Sequence, residues 1–212
     1  MANIVTSQTR IANRAFILLG SVERIVSVSE NSPLAIQVSD LWHESRREIF
    51  ALHPWNCLIR RAVLNKAGAV PAFGYTAQFG LPADCLRWLP WARDDCEYFE
   101  GEEEGGFILA SATDNLRIRY IADIEDVTSW SVHLQTLMAY KLAVDLCESA
   151  TQISGNVEEA RIKFEGQDGR GGYLADARRL DGMATGRRSN DTARVSSKWL
   201  SGYVGSRRAP GV

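Results

Sequence analysis

Near the start of the chain, apolar residues recur at helical spacing. Ile11, Ala12, Ala15, Phe16, Leu18 and Leu19 follow the i, i+3, i+4 rhythm of an amphipathic helix, with Ser7 placed to cap its first turn and Gly20 to stop it. A second helix opens with Ser32 as cap and Pro33 at the first helical position, where a missing N–H is harmless. It sets Leu34, Val38, Leu41, Trp42, Ile49 and Leu52 on one face and closes at His53, because Pro54 drives the preceding residue out of the helical region. The two helices are expected to form a hairpin with a short linker.

From about Ala67 the period drops from 3.6 towards 2 and the texture turns to Gly, Pro and aromatics, the signature of strands. Leu116, Ile118 and Tyr120 alternate with Arg117 and Arg119, while Phe107 to Ala110 is a shorter apolar run. With Thr113-Asp114-Asn115 as the turn between them, these two runs are expected to pair as a hairpin. Cys85 to Trp91 and Glu97 to Phe99 read as further strands, with Pro90 demoting the first to an edge or a bulge.

Helical texture returns after Ser129. From Trp130 to Ile153 the polar residues Lys141, Asp145, Glu148 and Gln152 fall on one stripe, so most of this helix is expected to be buried at the centre of the core. From about Asn156 another helix offers Ala160, Phe164, Leu174, Ala177 and Leu180 for packing, but Gly166, Gly169, Gly171 and Gly172 interrupt it. Each interior glycine costs about 1 kcal/mol relative to alanine, so two helical pieces are expected. The fold class is α+β, mainly α: a helical bundle from residues 1–66 and 129–183, an inserted small antiparallel β element at 67–128, and an extended C-terminal arm at 184–212.

Composition refines this picture in one place. At 212 residues, 45% hydrophobic and 24% charged, the chain is sized for one compact unit with appendages. A net charge of -2 gives the whole molecule no electrostatic reason to seek nucleic acid or an anionic membrane. The arm differs: Arg187, Arg188, Arg194, Lys198, Arg207 and Arg208 face only Asp191, which makes it +5 and leaves -7 on the preceding body. It lacks periodicity, yet it carries Trp199, Leu200 and Tyr203, the mark of a segment that orders by binding another surface. Met1 to Thr9 is polar, and no stretch reaches the roughly 18 apolar residues of a membrane span. The protein is therefore expected in a reducing cytoplasm, or in a particle assembled there.

Candidate chemistry is sparse. Cys57, Cys85, Cys96 and Cys147 form no CxxC pair and are expected to be reduced and mostly buried. His43, His53 and His133 lack metal-ligand spacing and read as structural or surface residues. No GxSxG elbow is present. The stretch from Gly166 to Gly172 lacks the GK[ST] ending of a phosphate loop and reads as a flexible break in a helix. Glu100, Glu102, Glu103 and Glu104, followed by Gly105-Gly106, lack EF-hand spacing and read as a solvated hairpin tip. Among 26 acids, no spacing singles out a glycosidase pair. Neither a catalytic residue nor a metal or cofactor is expected.

Five segments, in order, resemble the tail tubular protein A family, the head-to-tail adaptors of short-tailed bacteriophages. They are Ile11-Ala12-Asn13-Arg14-Ala15 running to Leu18-Leu19-Gly20, His53-Pro54-Trp55-Asn56 with Arg60-Arg61-Ala62, Leu81-Pro82-Ala83-Asp84-Cys85-Leu86-Arg87, Tyr98 with Glu100-Gly101, and Leu116 to Ile121. Ser197-Lys198-Trp199-Leu200 is a weaker match. The resemblance implies a structural virion protein and not an enzyme, a ring of about twelve copies between the portal protein and the tail nozzle, tail tubular protein B. Tail fibres are a further expected partner, and DNA would pass through the ring without specific binding. Portal docking is assigned to Arg187, Arg188, Lys198, Trp199, Leu200, Tyr203, Arg207 and Arg208. The competing readings are a nucleic-acid-binding module using the basic arm and a virion-associated cell-wall hydrolase.

Overall fold

A computed structural model describes residues 7–89, 100–111, 115–149 and 154–184. Its architecture is α+β and mainly α, as expected. The helices are α1 (Gln8–Leu18), α2 (Pro33–Leu52), α3 (Val132–Ser149), α4 (Ser154–Glu165) and α5 (Gly172–Ala184). The strands, all inserted between α2 and α3, are β1 (Ile59–Leu64), β2 (Ala77–Gly80), β3 (Cys85–Leu89), β4 (Gly101–Glu104), β5 (Phe107–Ala110) and β6 (Leu116–Ala122).

Both helix starts behave as their caps require. Ser7 accepts the Arg10 N–H at 3.3 Å and Ser32 accepts the Ala35 N–H at 3.2 Å. Past α1, Gly20 adopts φ 74, and the Gly20 and Ser21 amides donate back to Ile17 and Phe16, which satisfies carbonyls left open at the helix end. The two helices do not make the expected hairpin. Each packs on α3, and the segment between them is held instead by Asn13, whose amide side chain donates to the Ile25 carbonyl at 2.8 Å and accepts its N–H at 2.9 Å.

Helix α3 is the centre of the core. Leu134, Leu137, Met138, Ala139, Leu142, Ala143, Val144, Leu146 and Cys147 are all buried, and α1, α2, α4 and α5 pack around it. Its polar stripe is used as well: Lys141 bridges Asp145 and Glu48, each at 2.7 Å, and the Ser45 hydroxyl donates to Asp145. Burial alone would lower the Lys141 pKa, but the hydrogen bonds to Asp145 and Glu48 outweigh it and hold the ammonium above its ordinary value.

The strands form two three-stranded antiparallel sheets, ordered β1-β6-β3 and β2-β5-β4. Leu64, Leu116, Ile118, Tyr120 and Ala122 from the first face Ala77, Phe79, Ile108 and Ala110 from the second across a core of their own. Just past β1, Lys66 bridges to Phe79 and the Ala67 amide donates to Gln78, joining the sheets. This sandwich starts at Ile59, earlier than expected, because β1 carries Arg60 and Arg61 side by side and shows no clean alternation.

The expected pairing of Phe107 to Ala110 with Leu116 to Tyr120 is wrong. Strand β5 pairs with β4 across Gly105-Gly106, both at positive φ (57 and 83), which suits a two-residue hairpin turn far better than Thr113-Asp114-Asn115. Strand β6 belongs to the other sheet, between β1 and β3. The acidic run is thus the body of a strand, and only the two glycines make the tip. Strand β3 ends the described part at Leu89, with a bulge at Leu86; Pro90, Trp91, Cys96 and the expected strand at Glu97 to Phe99 lie outside the described residues.

The glycine-rich stretch does divide the last helix in two, but as a close-packed turn and not a loose break. Gly166 has φ 87, and a Cβ there would sit 2.0 Å from the Arg170 carbonyl oxygen; at Gly172 it would sit 2.4 Å from the Gly166 nitrogen. Gly169, at φ 70, has nothing within 4 Å. Ala160, Phe164 and Ala177 are buried as expected, whereas Leu180 faces solvent. Gly169→Ala should therefore cost about 1 kcal/mol from backbone strain alone. Gly166→Ala, which adds a backbone collision, should cost at least about 2 kcal/mol in urea denaturation. Equal effects would show that the turn has room to relax.

Candidate functional site

A polar cluster lies where the end of α2, the turn before β1, α3 and α5 meet. Asp181 of α5 is 2% exposed. Both its carboxylate oxygens accept the Asn56 N–H at 3.2 Å, and the Asn56 side chain donates to the Asp181 carbonyl at 2.7 Å. His53 Nε2 lies 3.3 Å from one oxygen and His133 Nε2 3.3 Å from the other. Burial pushes the Asp181 carboxyl upward, but His53, the Asn56 amide and His133 together hold it below the ordinary value. The other two members of the segment complete the corner: Pro54 ends α2, and Trp55, fully buried, donates its indole N–H to the Ile49 carbonyl at 2.9 Å. Arg178 of α5 donates to the Leu52 carbonyl, closing the joint from outside.

The cluster contains serine, histidine and aspartate, yet its geometry is not that of a nucleophilic triad. Ser131 Oγ lies 3.0 Å from His133 Nε2, the same nitrogen that faces Asp181. A triad needs the base to meet the nucleophile through one ring nitrogen and the acid through the other. No group of three or more possible metal ligands occurs among the described residues. His43 is exposed on α2. Sequence spacing could not have found the cluster, since its members are separated by up to 128 positions.

Two other segments that carry the resemblance also make structural contacts. Ile11, Ala12 and Ala15 are buried, Asn13 holds the Ile25 backbone, and Arg14 donates to Thr136 of α3 at 2.8 Å. In Leu81 to Arg87, the Cys85 amide closes a turn on the Pro82 carbonyl, and Asp84 accepts from the Tyr120 hydroxyl at 3.2 Å. Burial, with Glu103 and Asp84 nearby, pushes the Cys85 thiol up to about 11, which leaves it unreactive at neutral pH. Cys57 and Cys85 are half-buried; only Cys147, among the described cysteines, is fully buried, fewer than expected.

Two pairs of acids among the described residues share a cation. Lys141 sits between Glu48 and Asp145, and the fully buried Arg46 reaches Asp123 at 2.8 Å and Glu125 at 3.3 Å. A glycosidase acid needs the opposite setting, an apolar one that keeps its proton on. A broad cleft of about 550 Å³ near the start of α1 is lined by Ser7, Gln8, Thr9 and Asp126, the last already bonded to Thr128. No described helix is long and apolar enough to cross a membrane. The expected docking residues, Arg187, Arg188, Lys198, Trp199, Leu200, Tyr203, Arg207 and Arg208, lie outside the described residues, as does Tyr98. The described chain ends at Ala184, three residues past Asp181.

No family model matches the chain, and no curated protein matches it.

Because the Asp181 carboxyl titrates lower in the folded chain than in the unfolded one, its contacts stabilise the fold fully above the unfolded value near 3.8. That contribution fades as pH falls through the folded value. Asp181→Asn should cost about 1–3 kcal/mol at pH 7. The gap to the parent chain should narrow below about pH 4 in urea titrations; a gap that stays constant would mean the charge is not what holds the joint.

Proposed function

We propose that the protein is a structural ring subunit, a head-to-tail adaptor that joins a phage portal to the tail nozzle and lets DNA pass. The observation that carries this reading is the ordered series of resembling segments, together with the use the fold makes of two of them: Ile11 to Ala15 and His53 to Asn56 lie at joints between elements. Such residues serve a shape that must hold while other surfaces assemble. Copies would associate side by side through heterologous contacts and close into a ring of about twelve. An acidic body suits a DNA channel, since a wall that bound phosphate would retard the strand through counterion-release binding.

The arm supplies the second contact. Trp199, Leu200 and Tyr203 are suited to anchor in pockets of the portal, with Arg187, Arg188, Lys198, Arg207 and Arg208 pairing with acids or helix C-termini there. The basic arm also favours a second reading, a nucleic-acid-binding module, which salt-dependent retention of the purified protein on DNA would support.

Deleting residues 184–212 should abolish capture by the purified portal of the same phage while the circular dichroism spectrum stays that of a folded chain. Undiminished capture would remove the arm from the account. Absence of the protein from purified virions would remove the adaptor reading itself.

A further inference from the structure

Strand β4 is a sheet edge that pairs, among the described residues, with β5 alone. Glu100 just before it and Glu102, Glu103 and Glu104 along it are exposed, and none of the four has an ion-pair partner among the described residues. Charge on an edge strand discourages chance pairing with other copies. Four carboxylates within five positions also repel one another, and an approaching cation relieves that cost.

An uncharged loop lies beside this edge. From Ala67 to Ala77 no residue carries a charge, and Val70 is 61% and Phe73 89% exposed. Its shape is tied down: Gly74 adopts φ 85, the Tyr75 amide donates to the Phe73 carbonyl at 3.1 Å, and the Tyr75 hydroxyl donates to Glu102 of β4. A phenylalanine held out in water with carboxylates close by calls for a partner that is aromatic at its centre and basic around it.

The chain carries such a segment. Its arm sets Trp199, Leu200 and Tyr203 among Lys198, Arg207 and Arg208, with +5 in all against -7 on the body. Trp199 comes 15 residues after Ala184. That is a reach of up to about 50 Å, while a body of roughly 180 residues has a radius of gyration of about 16 Å. A tethered segment meets its own chain at an effective concentration on the order of millimolar, so in micromolar protein the contact forms within one copy. We propose that, before assembly, the arm lies on its own chain's β4 edge and 67–77 loop, cations on the carboxylates and aromatics on Val70 and Phe73, and that portal binding must take it off. Stored in this way, Trp199 and Leu200 are kept from aggregating until a portal arrives. The storage contact stands on the two surfaces themselves, and the competition with the portal rests on the adaptor reading.

The test uses the full chain, with limited trypsin digestion of the arm as the readout and circular dichroism as the folding control. Glu100→Gln with Glu102→Gln and Glu104→Gln, which adds no cleavage site, should speed cleavage of the arm by about tenfold, as should Val70→Ser with Phe73→Ser, because digestion follows the population of released arm. High salt should speed cleavage of the parent arm and have little effect on the carboxylate variant. That variant should also be captured by purified portal about tenfold more tightly, since no stored state is left to compete. An arm cut at one rate in all three chains overturns the storage contact and leaves the adaptor reading standing. Protection that disappears on dilution assigns the site to a second copy's arm and also overturns the proposal. Faster cleavage with unchanged portal capture overturns the competition. A parent chain that the portal does not capture overturns the adaptor reading and the competition with it, while protection lost in both variants still supports storage.

Discussion

A helix that is apolar on nearly every side cannot be left in water, and α3 imposes that constraint on the whole chain. Each large apolar side chain taken fully out of solvent contributes roughly 1.5–3 kcal/mol, and α3 has several, from Leu134 through Leu146. To cover it, helices from both ends of the sequence must come together: α1 and α2 from one side, α4 and α5 from the other. Tyr140 of α3 stacks on Tyr173 at the start of α5, centroids 4.9 Å apart, and fixes how the last pair sits. Everything between α2 and α3 must then leave the bundle and return to it at nearly one place. The sandwich meets that demand by using β1 and β6, its first and last strands, as antiparallel neighbours, with Ile59 paired to Ile121 at the base.

That shared base explains where the polar joints occur. Arg46 on α2 holds Asp123 just beyond β6, and Asn56 just before β1 is held by Asp181, so the strands of the insertion that touch the bundle are clamped by charge on both sides. Between the clamps lies an aromatic floor: Trp42 stacks on Trp130, and Phe50 meets Trp130 edge-on at 5.3 Å. Breaking a buried charge pair by removing one partner generally costs about 3–5 kcal/mol, more than a surface pair ever contributes. The clamps therefore act on the angle between bundle and sandwich as much as on stability. On the proposed ring reading, that angle would be the same in every copy.

Local signals were legible in the sequence because they act over three or four residues. Ser7, Ser32, Pro33 and Gly20 cap or stop helices by contacts with immediate neighbours, and the all-round burial of α3 follows from composition alone. The glycines after α4 announced a break, although not that backbone would pass within a Cβ's reach of backbone at Gly166. Strand partners were another matter. Period 2 says that Phe107 to Ala110 and Leu116 to Tyr120 are strands, but not which sheet each joins; the deciding signal was Gly105-Gly106, whose positive φ values make the neighbouring acidic run pair with β5. The Asp181 joint was invisible for a plainer reason: its partners, His53, Asn56 and His133, become neighbours only after α3 and α5 have packed.

Net charge hides how charge is distributed along the chain. A total of -2 describes an almost neutral molecule, yet it averages +5 over residues 184–212 with -7 over the rest of the chain. Attraction between faces of separate copies decays within roughly 8–10 Å at physiological ionic strength, so what counts is the local charge that two surfaces bring into contact. Reading the sequence as a sum removes that information, because the alternation of Arg117 and Arg119 with buried neighbours distinguishes a face from a scatter only once the register is known.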